Sequence, residues 1–145
     1  MNEFADRRVS ISSREDVFEL VRDFQPDQIY HLAAYQHSSS DDVGDEECDI
    51  LSQSLEINVL ALHHVLEAVH LYSPNSAVFY AGSSHVFGKT DTVVQTEETP
   101  FSPIGYYGIS KVAGIELCRY YRDKRSLSVA TGILYNHESI YRKPN

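Results

Sequence analysis

The chain has 145 residues, of which 42% are hydrophobic and 23% charged, with a net charge of -9; this is the composition of one soluble globular domain. The acidic balance and the lack of lysine or arginine clusters argue against nucleic acid and anionic membranes as partners. Cys48 and Cys118 stand alone, which argues against a zinc motif or a disulfide framework. With no apolar run near the ~20 residues of a membrane span, we expect a cytoplasmic protein whose partners are small molecules or like subunits.

The first predicted elements are a helix, a strand and a long helix. Ser12 and Glu15 form a capping box, and apolar residues recur at helical spacing from there until Pro26. A short apolar run over 29–34 predicts a strand, and a longer helical pattern covers 47–72. Asn58, in the middle of this helix, is a poor helix former. Either it is merely tolerated, which we expect by a small margin, or its side chain ties down a backbone turn or a water.

The second half repeats the alternation. A strand is predicted over 77–82, an irregular loop over 88–105, a helix over 106–125 and a strand over 127–134. Helices that alternate with short apolar strands are typical of an α/β protein with a doubly wound parallel sheet, covered on both faces. Ligands of such sheets bind beyond the carboxyl ends of the strands. We therefore expect the chain after each strand to border one crevice.

Tyr107 and Lys111 open the helix that follows the second strand. Residues four apart share a helix face, and a nearby cation favours the phenolate form of tyrosine. A tyrosine with a lowered pKa can exchange a proton with a carbinol or carbonyl. The Y-x-x-x-K spacing by itself is weak, since a surface pair has the same pattern, but its position beside the crevice favours catalysis.

Other residues of the crevice have two readings each. Ser83 can hydrogen-bond a substrate oxygen or merely cap a turn, and Ala33-Ala34 can admit a flat cofactor or simply pack tightly. His85 is a candidate acid or base near neutral pH, or an ordinary structural histidine. Three further histidines, His63, His64 and His70, lie on the long helix. They lack the spacing of metal ligands, so we read them as surface or subunit-contact residues and expect no metal site.

Four motifs carry a family resemblance. They are His31-Leu32-Ala33-Ala34, Phe87-Gly88-Lys89, Glu98-Thr99-Pro100-Phe101 before the Tyr107 motif, and, most specific, Gly132-Ile133-Leu134-Tyr135-Asn136-His137-Glu138-Ser139. At these residues the sequence resembles the extended short-chain dehydrogenase/reductase (NAD-dependent epimerase/dehydratase) superfamily, and in particular the GDP-mannose 4,6-dehydratases. The resemblance implies a lyase with a Rossmann-like fold and an internal redox cycle: NADP takes hydride from the sugar C4, water is eliminated across C5 and C6, and hydride returns to C6.

The resemblance also implies roles for individual residues. Tyr107 matches the catalytic tyrosine, Lys111 its partner and a ribose contact, and Ser83 the catalytic hydroxyl residue, where these dehydratases have threonine. The implied cofactor-binding residues are Leu32, Ala33, Ala34, Tyr35, Gln36, Lys111, His137 and Arg142. Ser84 and Asn136 match positions near the nucleotide-sugar.

The sequence departs from the family at several places. His85 replaces the glutamate that removes the C5 proton in the dehydratases, so elimination requires that His85 substitute for it. Ser10, Ile11 and Gln53 also differ from the family pattern near the adenine or cofactor. No G-x-x-G-x-x-G turn occurs among the 7 glycines. We therefore read residues 1–145 as a partial NAD(P)-binding domain, without the C-terminal substrate domain, whose strand over 29–34 has an unpaired edge.

These observations lead to one expected function and two rivals. We expect a nucleotide-sugar 4,6-dehydratase that uses NADP, or NAD, acts on GDP-mannose and forms a homodimer or tetramer, with doubtful activity in the isolated chain. The first rival is a C4 epimerase or 4-keto reductase, neither of which needs the glutamate base. The second is a non-catalytic fragment that forms dimers with a related chain.

Overall fold

The computed structural model describes residues 8–36, 47–90 and 93–137, apart from the side chains of residues 47 and 48. Three strands lie within these ranges: β1 (Gln28–His31), β2 (Ala77–Ala81) and β3 (Ser128–Gly132). The α-helices are α1 (Arg14–Phe24), α2 (Glu47–Leu55), α3 (Ala61–Tyr72) and α4 (Tyr106–Arg125). A π-helical turn (Glu56–Leu60) joins α2 to α3, and a 3-10 turn (Ser84–Val86) follows β2.

The strands form a parallel sheet in the order β1-β2-β3. In the register, Tyr30 lies opposite Phe79, and Phe79 opposite Ala130. Helical crossovers connect the parallel strands, as strands that run in the same direction require. The predicted Rossmann-like α/β class is therefore confirmed. Within the described residues the outer side of β1 has no strand partner, as predicted for this edge.

Helices α1, α3 and α4 pack on one face of the sheet and share one core. Val17 of α1, Leu66 of α3 and Ile115 of α4 belong to the same buried cluster as Val78 and Val129 of the sheet. The strands advance in one direction across the sheet, and right-handed crossovers in one direction place their helices on one side. In the described part of the chain, helices therefore cover only one of the two faces that we expected to be covered.

The opposite face of the sheet is open among the described residues. Tyr30 is 64% exposed, although its ring lies 6.0 Å from that of Phe79. Ala77 and Ala130, which share this face by register, are also exposed. The alternation of buried and exposed side chains thus separates a core face from a second, largely apolar face.

The structure corrects several element boundaries. The cap of α1 is Ser13, whose side chain accepts a hydrogen bond from the Asp16 amide at 3.2 Å, so the Ser12–Glu15 capping box was wrong by one residue. Strand β1 ends at His31 rather than at 34, and β3 is shorter than predicted at both ends. The helix over 106–125 is confirmed. No helix in the described ranges is long and apolar enough to cross a membrane.

Candidate active site

The carboxyl ends of the three strands meet at one edge of the sheet, as predicted. Ser83 follows β2 and caps the 3-10 turn by accepting a hydrogen bond from the His85 amide at 3.3 Å. The Ser84 amide donates to the Leu134 carbonyl at 2.9 Å, which joins the chain after β2 to the chain after β3. Helix α4 begins beside this turn. The crevice predicted from the sequence is thus formed by adjacent loops.

Tyr107 and Ser83 lie together at the start of α4. The Tyr107 side chain is half-buried, and burial raises its pKa, while a hydrogen bond from the Ser83 hydroxyl acts in the opposite direction. The capping role of Ser83 is therefore confirmed, and its hydroxyl also faces the tyrosine, whereas its bond to a substrate oxygen stays a prediction. A hydroxyl beside the phenol is the arrangement required to bind one oxygen of a substrate between them.

Lys111 lies one turn farther along α4 and is almost completely buried. It is 1% exposed, and its ammonium donates a hydrogen bond to the Ala81 carbonyl at 2.8 Å. Burial lowers the pKa of Lys111 to about 8 because the charged form loses hydration. Its Nζ lies 5.6 Å from the centroid of the Tyr107 ring.

The effect of Lys111 on Tyr107 differs from our expectation. We predicted that the cation lowers the pKa of the phenol, but burial is the larger influence and raises it. The ammonium is directed at the Ala81 carbonyl, which leaves the Ser83 hydroxyl as the group that opposes the effect of burial. Tyr107 therefore holds its proton more tightly than a free phenol does.

Asn58 occupies the π-helical turn and ties the loop after β1 to helix α4. Its side chain is fully buried. The Asn58 Oδ1 accepts from the Tyr35 amide at 2.8 Å, and Nδ2 donates to the Tyr35 carbonyl at 2.9 Å and to Ser110 Oγ at 2.9 Å. The expectation that Asn58 is merely tolerated was therefore wrong. A polar residue within an apolar helical stripe, three after Leu55 and four before Leu62, was the signal for such a role.

Ser110 completes this connection and was not recognised from the sequence. Its hydroxyl accepts from Asn58 and donates to the Tyr107 carbonyl at 2.8 Å. A continuous set of hydrogen bonds thus runs from the Tyr35 backbone through Asn58 and Ser110 to the first turn of α4. π-helical turns often occur at functional sites, and here the turn holds the residue that joins two sides of the crevice.

His85 lies directly beside Tyr107. The two rings meet edge to face, with centroids 5.4 Å apart, and the His85 side chain is exposed. A Cβ atom on Gly108 would lie 2.7 Å from the His85 carbonyl, so glycine allows this close approach of helix and turn. The geometry allows either reading of His85, and its role as an acid or base stays a prediction.

Comparison with known proteins identifies the family. The sequence profile of GDP-mannose 4,6 dehydratase matches residues 2–145. GDP-mannose 4,6 dehydratase 2 of Caenorhabditis elegans is 31% identical over 128 residues, 87% of this chain and 32% of that protein. The protein of the same name from Arabidopsis thaliana is 36% identical over 126 residues, 83% of this chain and 32% of that protein. The chain belongs to the GDP-mannose 4,6-dehydratase family.

Solved structures support the fold. UDP-glucose 4-epimerase from Brucella ovis, in complex with NAD, superposes with a TM-score of 0.74 at 20% identity, over 86% of this chain and 36% of that one. RMD from Pseudomonas aeruginosa, complexed with NADPH, gives a TM-score of 0.73 at 23% identity, over 87% and 41%. The chain spans about a third of the length of the curated relatives that it matches.

The other residues predicted from the GDP-mannose 4,6-dehydratase family lie around the same edge. Leu32, Ala34 and Gln36 are exposed, and Ala33 and Tyr35 are half-buried. After β3, Asn136 and His137 are exposed, whereas Arg142 lies outside the described residues. The Tyr35 backbone is tied through Asn58 and Ser110 to the start of α4. The structure thus places the loop after β1 by a defined contact, and the binding roles of these residues stay predictions.

A separate cavity lies along α4 on the side of β3. It has a volume of about 370 Å³, and its lining includes Gln95, Arg119, Arg122, Thr131 and Tyr135. None of the predicted catalytic residues lines it. Among the described residues, no cluster of three or more histidine, cysteine, aspartate or glutamate side chains is arranged to hold a metal ion.

Proposed function

We propose that this chain is the central part of a nucleotide-sugar 4,6-dehydratase that converts GDP-mannose to GDP-4-keto-6-deoxymannose. The observation that carries the proposal is the association of Ser83, Tyr107 and Lys111 at the carboxyl edge of the sheet, in a chain of this family. The chain spans about a third of its relatives, so the activity is proposed for the complete enzyme.

The three residues have separate roles at the sugar C4. The Ser83 hydroxyl binds the C4 oxygen, and Tyr107 accepts the proton of that oxygen as the carbinol becomes the carbonyl that the 4-keto product keeps. Burial raises the pKa of Tyr107, so the phenolate that accepts this proton needs stabilisation. The Ser83 hydrogen bond and the charge of Lys111 provide it.

The described residues fit the nicotinamide end of an NADP cofactor. The Lys111 ammonium has three N–H donors, one of which bonds the Ala81 carbonyl, so donors are left for ribose hydroxyls. Ala33 and Ala34 have small side chains that allow close approach to the backbone. The cofactor would supply the hydride acceptor and donor, while these residues bind and orient it. The glycine-rich turn that holds a pyrophosphate is not among residues 1–145.

We propose that His85 is the base that removes the C5 proton. This residue stands where the dehydratases have a glutamate, and its exposed ring borders Tyr107 at 5.4 Å. An imidazole accepts a proton near neutral pH, as the elimination of water across C5 and C6 requires. In the completed enzyme, His85→Glu would retain 4,6-elimination, whereas His85→Gln would abolish it and leave exchange of hydride at C4.

The substitution at His85 also gives the main rival its support. A C4 epimerase or 4-keto reductase uses the tyrosine and hydride transfer and needs no base for C5. If the completed wild-type enzyme turns over C4 without eliminating water, then epimerisation or reduction is the correct function. A gain of elimination in His85→Glu would then indicate a lapsed dehydratase.

A non-catalytic role is supported by exposed apolar side chains on the helices. Leu60 is 50% exposed, Tyr120 48% and Ile109 43%, and α2 packs against α4. Such a surface suits a homodimer, or a mixed dimer with a related chain. If dimerisation were the whole function, Tyr107→Phe would leave partner binding unchanged and no variant of the chain would bind NADPH.

The first test is an NADPH titration followed by fluorescence. The 145-residue chain is compared with a version extended upstream to include a glycine-rich turn. We expect binding only by the extended chain and loss of binding when Lys111→Met is introduced into it. If neither chain binds NADPH or NADH, the proposed function is wrong.

A further inference from the structure

Among the described residues, no carboxylate pairs with the buried Lys111 ammonium. Within that part of the chain its hydrogen bond goes to the Ala81 carbonyl at 2.8 Å. Placing an ammonium in a protein interior is costly unless other groups replace its lost hydration. A single carbonyl is a weak substitute for water. The site therefore needs a second source of stabilisation for the charge.

The ring of Tyr80 supplies that source. Lys111 Nζ lies over this ring, 4.8 Å from its centroid, which is closer than the 5.6 Å to the Tyr107 ring. The Tyr80 side chain is completely buried. The negative face of an aromatic ring attracts a cation, and the attraction grows when water is excluded. Both conditions hold at Tyr80.

Contacts from three elements fix the Tyr80 ring. A Cβ atom on Gly114 would lie 2.3 Å from the Tyr80 hydroxyl oxygen and 2.6 Å from Cζ, so α4 leaves a space that only glycine provides. From β1, the His31 ring stacks on Tyr80 with centroids 5.9 Å apart. From the π-helical turn, the Asn58 carbonyl accepts from the Tyr80 hydroxyl at 3.5 Å. The ring has little freedom to leave the ammonium.

We propose that Tyr80 is a positioning residue, whose ring face keeps the buried Lys111 ammonium charged and holds it one helical turn from the Tyr107 phenol. The inference rests on the proposed function only for the use that Tyr107 makes of the cation. The contact itself belongs to this chain and can be measured without substrate or cofactor.

No other described titratable neighbour of Lys111 supplies a negative charge that would stabilise its ammonium. Burial raises the pKa of both tyrosines, Tyr80 and Tyr107, and raises that of Cys118 to about 11, so all three are neutral at pH 7. His31 is also neutral, because burial and the nearby Lys111 lower its pKa to about 4. The described groups that favour the charged lysine are thus the Ala81 carbonyl, the Tyr80 ring and, at a greater distance, the Tyr107 ring.

The test is to measure the pKa of Lys111 in variants that have different aromatic rings at position 80. The side-chain Cε resonance of ¹³C-labelled lysine is titrated in the 145-residue chain and assigned with Lys111→Met. Tyr80→Phe keeps the ring and is expected to leave the pKa near the wild-type value. Phenylalanines with increasing fluorination weaken the negative ring face at nearly constant volume, and the full series is expected to lower the pKa of Lys111 by about half to one unit.

Tyr80→Leu and Tyr121→Leu give a matched pair of controls. Both remove a buried tyrosine, since Tyr121 is 3% exposed, but Tyr121 bonds Glu67 rather than Lys111. Only Tyr80→Leu is expected to lower the pKa of Lys111. Should Tyr80→Leu fail to fold, the fluorinated series, which keeps the packing, decides the question.

One result overturns the inference: a Lys111 pKa that is constant through the fluorinated series. The outcome is separable from that of the proposed function, since the titration needs no ligand. A progressive shift with no NADPH binding by the extended chain would support the role of Tyr80 and refute the dehydratase. A constant pKa with NADPH binding would do the reverse.

Discussion

The two ends of helix α4 each hold a tyrosine whose hydroxyl is hydrogen-bonded, but the partners have opposite character. At the C-terminal end, the Tyr121 hydroxyl donates to the Glu67 carboxylate at 2.6 Å and lies 3.1 Å from His63 Nδ1. Burial and the Glu67 carboxylate both raise the pKa of Tyr121. At the N-terminal end, Tyr107 faces the Ser83 hydroxyl and the Lys111 ammonium, and no carboxylate contacts it in the described structure.

This difference distinguishes a tyrosine bonded to a carboxylate from the tyrosine that we propose as the acid/base group. A carboxylate that accepts a hydrogen bond from the phenol makes ionisation of the phenol harder, because the phenolate would face a second negative charge. At Tyr107 the Ser83 hydroxyl makes ionisation easier, and burial is the influence that raises the pKa. The helix therefore carries two tyrosines of similar chemistry, of which only Tyr107 is suited to release and recover a proton.

The largest expected effect is a difference in turnover between variants of Tyr107 and Tyr121. In the completed enzyme, Tyr107→Phe should reduce turnover by about 10²- to 10⁴-fold because the acid/base group is lost. Tyr121→Phe should leave turnover unchanged and lower the free energy of unfolding by about 1.5–3 kcal/mol, the usual cost of a hydrogen bond to a charged group. Steady-state kinetics and urea unfolding of both variants measure these effects. Equal losses of turnover would contradict the comparison.

The second prediction concerns the cost of burying Lys111. The pKa of Lys111 falls from 10.5 to about 8 on folding, so between these pH values the unfolded chain binds more protons and stability rises with pH. The full rise should be about 3 kcal/mol from this shift. Lys111→Met should remove it, and Lys124→Met, at an exposed lysine of the same helix, should not. Urea unfolding across this pH range provides the measurement; an unchanged rise in Lys111→Met would mean that the lysine is hydrated.

Asn58 provides the third prediction, because it anchors the reactive end of α4 to the loop after β1. Asn58→Ala leaves the Tyr35 backbone and Ser110 without their partners and should cost about 1–3 kcal/mol, the penalty for a buried polar group left unpaired. Hydrogen exchange at the Tyr35 amide should also become faster. Asn75→Ala, at an exposed asparagine, is the control and should change neither quantity. Continued protection of Tyr35 in Asn58→Ala would show that other contacts hold the loop.

Asn58 also shows why part of the site was predictable from the sequence and part was not. Tyr107 and Lys111 share one helical turn, so local periodicity sufficed to find them, and strand–helix alternation placed them at the edge of the sheet. Asn58 and Ser110 are 52 residues apart, and Asn58 and Tyr35 are 23 apart. No local spacing encodes such pairs. The same limitation hid the contact between Tyr80 and Lys111, and it led us to overestimate the effect of Lys111 on Tyr107, since burial is a property of the packed chain.

The smallest expected effect concerns the structural end of α4. Glu67→Gln keeps an oxygen that accepts the Tyr121 hydrogen bond but removes the negative charge, so the pKa of Tyr121 should fall toward that of a free phenol while stability changes by only about 1 kcal/mol. Titration of ¹³C-labelled tyrosine by NMR resolves the shift. Glu116→Gln is the matched control, since Glu116 pairs with Arg119 at 2.6 Å on the exposed side of the helix and should leave Tyr121 unaffected. If the pKa of Tyr121 stays high in Glu67→Gln, then burial alone raises it. The contrast with Tyr107 would in that case depend on Ser83 and on the depth of burial rather than on the carboxylate.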